Sequence, residues 1–117
     1  MPNQRKLLII DDEEDLCLLL KDYFIKKGYE VYISHTLNGG RELLDATRAD
    51  VVFLDNNLPD GIGWDMAPGI AKSLPETYLV LVSAFHPSAP VMPEGANYRV
   101  IEKPISLAEL NRQFAGF

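Results

Sequence analysis

The chain has 117 residues and sets 11 Lys and Arg against 17 Asp and Glu, a formal net charge of −6. This is the length of one ordinary domain, expected to run over residues 1–117, and too short for two. With 47% hydrophobic and 24% charged residues it can bury a core without disulfides or a structural metal, and it is not composed like a disordered segment. The acidic balance excludes nucleic-acid binding by the domain's own electrostatics, because a phosphate backbone would be repelled.

In chain order, Met1 to Lys6 is followed only by Leu7-Leu8-Ile9-Ile10 before two aspartates. That apolar stretch is too short for a signal peptide or a membrane span, so a cytoplasmic location without membrane contact is expected. Short apolar runs predict buried strands over Lys6 to Ile10, Glu30 to Ile33, Asp50 to Leu54, Tyr78 to Val82 and Tyr98 to Glu102. Between the first two, Leu16, Leu19, Leu20 and Tyr23 share a helical face, with Gly28 as the stop. The lone cysteine, Cys17, lies inside this apolar run and is expected to be a small buried hydrophobe. Leu37, Leu43 and Leu44 predict a second helix, and Trp64 to Ser73 a third. Between Ser83 and Tyr98 stand Pro87, Pro90, Pro93 and Gly95. Three prolines so spaced are incompatible with a regular helix, so the fourth is expected to be short, irregular or absent. Ser106 and Glu109 have the spacing of a capping box at the head of the last helix.

Strand–helix alternation predicts an α/β fold, a parallel sheet covered on both faces. With right-handed crossovers the five-stranded solution is the doubly wound, flavodoxin-like order 2-1-3-4-5. Ligands of such sheets bind beyond the carboxyl ends of the strands. Those ends deliver Asp11 and Asp12, then Asp55, Ser83 and Lys103, to one rim. Adjacent carboxylates repel unless a cation compensates, and an all-oxygen set favours Mg2+ over zinc. His35 and His86 fit no ligand spacing and are expected to be solvated loop residues.

Asp55 leaves an apolar strand for the loop Asn56-Asn57-Leu58-Pro59-Asp60-Gly61-Ile62-Gly63, which desolvates and aims it as a nucleophile. An aspartyl phosphate is the matching intermediate. Phosphoryl transfer asks mainly for positioning and charge neutralisation, here from the cation and Lys103, with a hydrogen bond from Ser83.

These residues resemble the receiver domain of bacterial response regulators over essentially the whole chain. Ile9-Ile10-Asp11-Asp12-Glu13-Glu14 matches the family's acidic pair, Asp55 with Leu58-Pro59-Asp60-Gly61 its phosphorylation loop, Ser83-Ala84 its switch hydroxyl, and Lys103-Pro104 its lysine, usually followed by a cis proline. The resemblance implies a phospho-acceptor that promotes its own phosphorylation and dephosphorylation, not an enzyme, within two-component signal transduction. It also implies that Asp12 and Asp55 ligate magnesium directly, Asp11 through water, and Asn57 through its backbone carbonyl. The phosphodonor would be a phosphohistidine on a sensor histidine kinase or phosphotransfer protein. The output partner is not identified, and no residues follow Phe117, so a stand-alone receiver or a fragment of a longer protein is expected.

Two positions depart from the family. The aromatic residue usual three positions before the lysine is Val100 here, and the Pro-rich stretch occupies the place of the fourth helix. A conformational response confined mainly to the loops after the third and fourth strands is therefore expected. Three other functions compete with this reading. A haloacid-dehalogenase-type phosphatase wants an aspartate two positions after the nucleophile, where this chain has Asn57. A flavodoxin-type cofactor binder wants a phosphate loop where Asp11 to Asp15 stand. A degenerate receiver acting as a protein-binding module is the alternative that the altered output face would suit, although the intact acidic set weighs against it.

Overall fold

The computed structural model describes residues 4–85 and 88–117. His86 and Pro87, on which two of the expectations fall, lie outside the described residues. The elements are β1 (Lys6–Ile10), α1 (Glu14–Lys26), β2 (Glu30–Ser34), α2 (Leu37–Thr47), β3 (Val51–Asp55), β4 (Asn57–Leu58), β5 (Gly61–Ile62), a 3-10 turn (Gly63–Met66), α3 (Ala67–Ser73), β6 (Tyr78–Ser83), β7 (Tyr98–Glu102) and α4 (Leu107–Phe114). Strands β4 and β5 form a small antiparallel ribbon of their own. The other five make one parallel sheet in the order β2-β1-β3-β6-β7, which is the expected 2-1-3-4-5 order once the ribbon is left out.

Alternation along the strands divides the core between two faces. Leu7, Ile9, Val51, Phe53, Val80 and Val82 face α1 and α4, where Phe24, Phe53 and Phe114 stack at ring-centre distances near 5.5 Å. Leu8, Ile10, Val52, Leu54, Leu79 and Leu81 face α2 and α3. Both faces are covered, so these strands read as unbroken apolar runs. Helix α1 ends before Gly28, whose φ is +93°.

The third predicted helix is made in two pieces, the 3-10 turn and then α3. At the head of α4, Ser106 Oγ accepts from the Glu109 amide (3.1 Å), but the return half of the capping box is replaced. The Glu109 carboxylate engages Arg112 and Gln113 along the helix instead. Among the described residues no helix joins β6 to β7. The chain there is irregular, with Met92 packed on the second core cluster. Tyr98 and Val100, on the same face of β7, are consequently exposed, Val100 by 48%. Among the described residues no helix is long and apolar enough to cross a membrane.

Candidate functional site

Parallel strands end on the same side, so the polar residues that follow the central strands meet at one rim. Asp11 follows β1 directly and is almost fully buried, as is Asp55 at the end of β3, whereas Asp12 is exposed. Each offers a carboxylate oxygen, and the three oxygens lie within 4.8 Å of one another. Asp11 is held from several directions. Its amide donates to the Ser34 carbonyl (3.0 Å), and one carboxylate oxygen accepts from the Glu13 amide (2.9 Å). Its carbonyl accepts from Cys17 Sγ (3.3 Å) and lies 2.9 Å from His35 Nδ1.

Lys103 reaches into the cluster from the end of β7, beside a cis Lys103-Pro104 peptide. Its ammonium stands 3.1 Å from Asp11, 3.1 Å from Glu13 and 3.5 Å from Asp55. Burial works against the ammonium, but these carboxylates outweigh it and raise the lysine's pKa, so it is a fixed cation. Burial, then the nearby Asp11, pushes the Asp55 carboxyl up to about 6. Burial also raises Asp11, against the opposing pull of the Glu13 amide and Lys103. One ammonium is thus too little charge for three carboxylates, and the hard oxygen donors left undercompensated suit a divalent cation such as magnesium.

Ser83 ends β6 and is buried. Its hydroxyl accepts from the Phe85 amide in its own loop (3.2 Å). Asn57 opens β4, directly after the acceptor strand. That loop is pinned from below. The Asn56 amide donates to Val82, the Gly63 amide to Asn56 (2.8 Å), and the Trp64 indole to the Leu54 carbonyl (3.1 Å). Position 63 admits only glycine, because a Cβ there would sit inside the Asp55 carbonyl.

The structure therefore brings Asp11, Asp12, Asp55 and Lys103 together, with Ser83 and Asn57 on the adjoining loops. Reading strand ends misses three residues. Glu13 pairs with Lys103 although it belongs to the start of a helix, and its sequence signal is the acidic run it continues. His35 is exposed as expected, yet it also bonds the Asp11 backbone. Asp60 accepts from two amides of α2, a contact that no local pattern announces. Cys17 is buried as expected, its thiol pushed up to about 12 by burial first and the Asp11 charge second.

The response regulator receiver domain family matches residues 7–115. The response regulator protein PilR of Pseudomonas aeruginosa is 28% identical over 97% of this chain, which spans 26% of PilR's length. A CheY-like receiver domain from Methanospirillum hungatei JF-1 superposes with a TM-score of 0.80 at 22% identity, covering 97% of this chain and 92% of that one. A structure of histidine kinase ThkA in complex with response regulator protein TrrA aligns with a TM-score of 0.73 at 24% identity, covering 92% of this chain and 93% of the matched one. The family match sets aside the phosphatase and flavodoxin alternatives: this chain belongs to the response regulator receiver domains of two-component systems.

Proposed function

We propose that Asp55 accepts a phosphoryl group from a phosphohistidine donor, a sensor kinase or phosphotransfer protein, in the cytoplasm. Residues 1–117 act in this as one receiver domain, a phospho-acceptor rather than an enzyme. The carrying observation is the convergence of the Asp11, Asp12 and Asp55 oxygens within 4.8 Å, with the Lys103 ammonium 3.5 Å from Asp55. Asp12, Asp55 and the Asn57 carbonyl would hold magnesium directly, with Asp11 acting through water; once bound, the ion neutralises phosphoryl oxygens.

The chain's own residues do the rest. An Asp55 oxygen forms the O–P bond as the P–N bond of the donor breaks, and the electron pair leaves on the imidazole nitrogen. Asp55 must be ionised to attack, and its environment opposes that until positive charge is supplied. Lys103, 3.5 Å from Asp55, supplies part of that charge and would pair with the phosphoryl group. The Ser83 hydroxyl, which accepts from the Phe85 amide, would donate its own proton in a hydrogen bond to a phosphoryl oxygen. ThkA bound to TrrA shows a kinase engaged by a protein of this fold, which supports a kinase as the partner here.

The test is incubation with acetyl phosphate and magnesium, read by intact mass and acid lability. Wild type should gain one phosphoryl group and Asp55→Asn none. Undiminished labelling of that variant would sink the assignment.

A further inference from the structure

The acceptor loop is also tied to a second element, α2. Asp60, in the turn between β4 and β5, accepts from the Leu37 amide at 2.7 Å and from the Asn38 amide at 2.9 Å. These are the first two residues of α2, whose opening amides have no partner within the helix. Thr36 already caps that end in the ordinary way, its hydroxyl accepting from the Gly39 amide at 3.0 Å. Asp60 is therefore an additional carboxylate, supplied from another part of the chain and placed where the helix dipole favours negative charge. The Asn38 and Leu37 amides hold its carboxyl below the usual carboxylate range. Close packing repeats the tie next door, where a Cβ at Gly61 would fall 2.9 Å from the Leu37 side chain.

The ribbon Asn57–Ile62 is thus held at its base and at its turn. The Gly63 amide closes its base on the Asn56 carbonyl, the Asn56 amide ties that base to Val82 of β6, and Asp60 ties its turn to α2. Asn57 lies within this short ribbon, three residues before Asp60, paired to Ile62 across it. A shift at either end has little slack to absorb it. Helix α2 also begins two residues after His35, which bonds the Asp11 carbonyl on the other flank of the site.

We propose that Asp60 is a positioning residue that sets the Asn57 carbonyl for the cation and couples occupancy of the Asp55 site to the N-terminus of α2. The inference rests on the reading of Asp55 and magnesium given above and adds a route out of the site. Between β6 and β7 the described residues offer no helix to carry a displacement, whereas α2 is regular and directly joined to the loop. Loss of the carboxylate should cost about tenfold in magnesium affinity, the low end for removing an outer partner from a metal site.

The experiment compares wild type, Asp60→Asn, Asp60→Ala and Thr36→Ala by magnesium calorimetry and by hydrogen exchange with and without beryllofluoride and magnesium. Thr36→Ala removes the helix's own cap without touching the loop, so it reports what weakening α2 does by itself. Expected are magnesium affinities in the order wild type, Asp60→Asn, Asp60→Ala, with Thr36→Ala close to wild type. Amides of Leu37 to Gly40 should slow on adding beryllofluoride in wild type and Thr36→Ala, but not in Asp60→Ala. If Thr36→Ala lowers affinity as much as Asp60→Ala, the effect is helix stability and the proposal is overturned. If beryllofluoride binds while α2 stays silent in wild type, the coupling alone is overturned. If beryllofluoride does not bind at all, the acceptor reading fails and this inference with it.

Discussion

The ammonium of Lys103 is shared between Asp11, a buried carboxylate of the acidic cluster, and Glu13, a carboxylate outside it, at 3.1 Å from each. The two pairs differ in environment, since the Asp11 side chain is 3% exposed and that of Glu13 is 55% exposed. An exposed pair is screened by water and contributes under about 1 kcal/mol. Glu13→Gln should therefore change unfolding stability by less than about 1 kcal/mol. Lys103→Met instead leaves Asp11 and Asp55 buried without their cation, a loss on the order of 3 kcal/mol at pH 7.5. Urea unfolding of both variants without magnesium checks the contrast. Equal losses would mean that the buried carboxylates do not depend on Lys103.

Magnesium should bind wild type and raise its unfolding midpoint, because a ligand of the native state stabilises it by linkage. Asp12→Ala should weaken that binding strongly. Removing one of three clustered carboxylates also relieves repulsion, so the metal-free variant should be at least as stable as wild type. Calorimetric titration and thermal melts with and without magnesium measure both effects. Identical magnesium affinity in the two proteins would exclude Asp12 as a ligand.

The fold was legible because the central strands β1, β3 and β6 are buried on both faces. Each inner strand shows a continuous apolar run, and Lys6–Ile10 and Tyr98–Glu102 match the observed strands residue for residue. The rim residues were legible because parallel strands carry whatever follows them to the same side. The long-range ties were not. Asp60 meets Leu37 across 23 positions, and Glu13 meets Lys103 across 90. Which carboxylate completes which partner is decided by tertiary packing. The capping box was half legible for a related reason: Ser106 has only its own helix to cap, whereas Glu109 can choose among Arg112, Gln113 and the Ser106 amide.

The raised Asp55 pKa makes metal-free stability depend on pH with a definite sign. In the unfolded chain an aspartate titrates near 3.9, whereas in the folded protein Asp55 titrates at about 6. Between these values the native state keeps a proton that the unfolded state has released, so stability falls as pH rises across this window. Asp11, raised for the same leading reason, adds to the fall. Above pH 6 the full cost of the Asp55 charge applies, on the order of 3 kcal/mol. Asp55→Asn should flatten the profile and exceed wild type in stability at pH 7 to 8. Magnesium should recover much of the loss in wild type and little in the variant. Denaturation at pH 4.5 and 7.5 is the measurement, and a wild type more stable at the higher pH would contradict it.

The last prediction concerns the output face. In the usual receiver an aromatic side chain on the last strand swings inward as the switch hydroxyl closes on the phosphoryl group. Here that position is Val100, whose short branched side chain has few rotamers and cannot make the excursion. It stands on the outer face of β7 beside Tyr98, half exposed, with no helix among the described residues packed over it. Ser83 should still donate to the phosphoryl group, since that move needs only its own loop. Beryllofluoride should therefore slow hydrogen exchange in the loops after β3 and β6 and, through Asp60, at the start of α2. Amides from Tyr98 to Phe117 should change little. Replacing Val100 by tyrosine tests whether the side chain is the limiting part. Because no helix among the described residues joins β6 to β7 to respond with it, Val100→Tyr alone should leave the exchange pattern as in wild type. A cooperative change across β7 and α4 in wild type would show that the domain switches without either device.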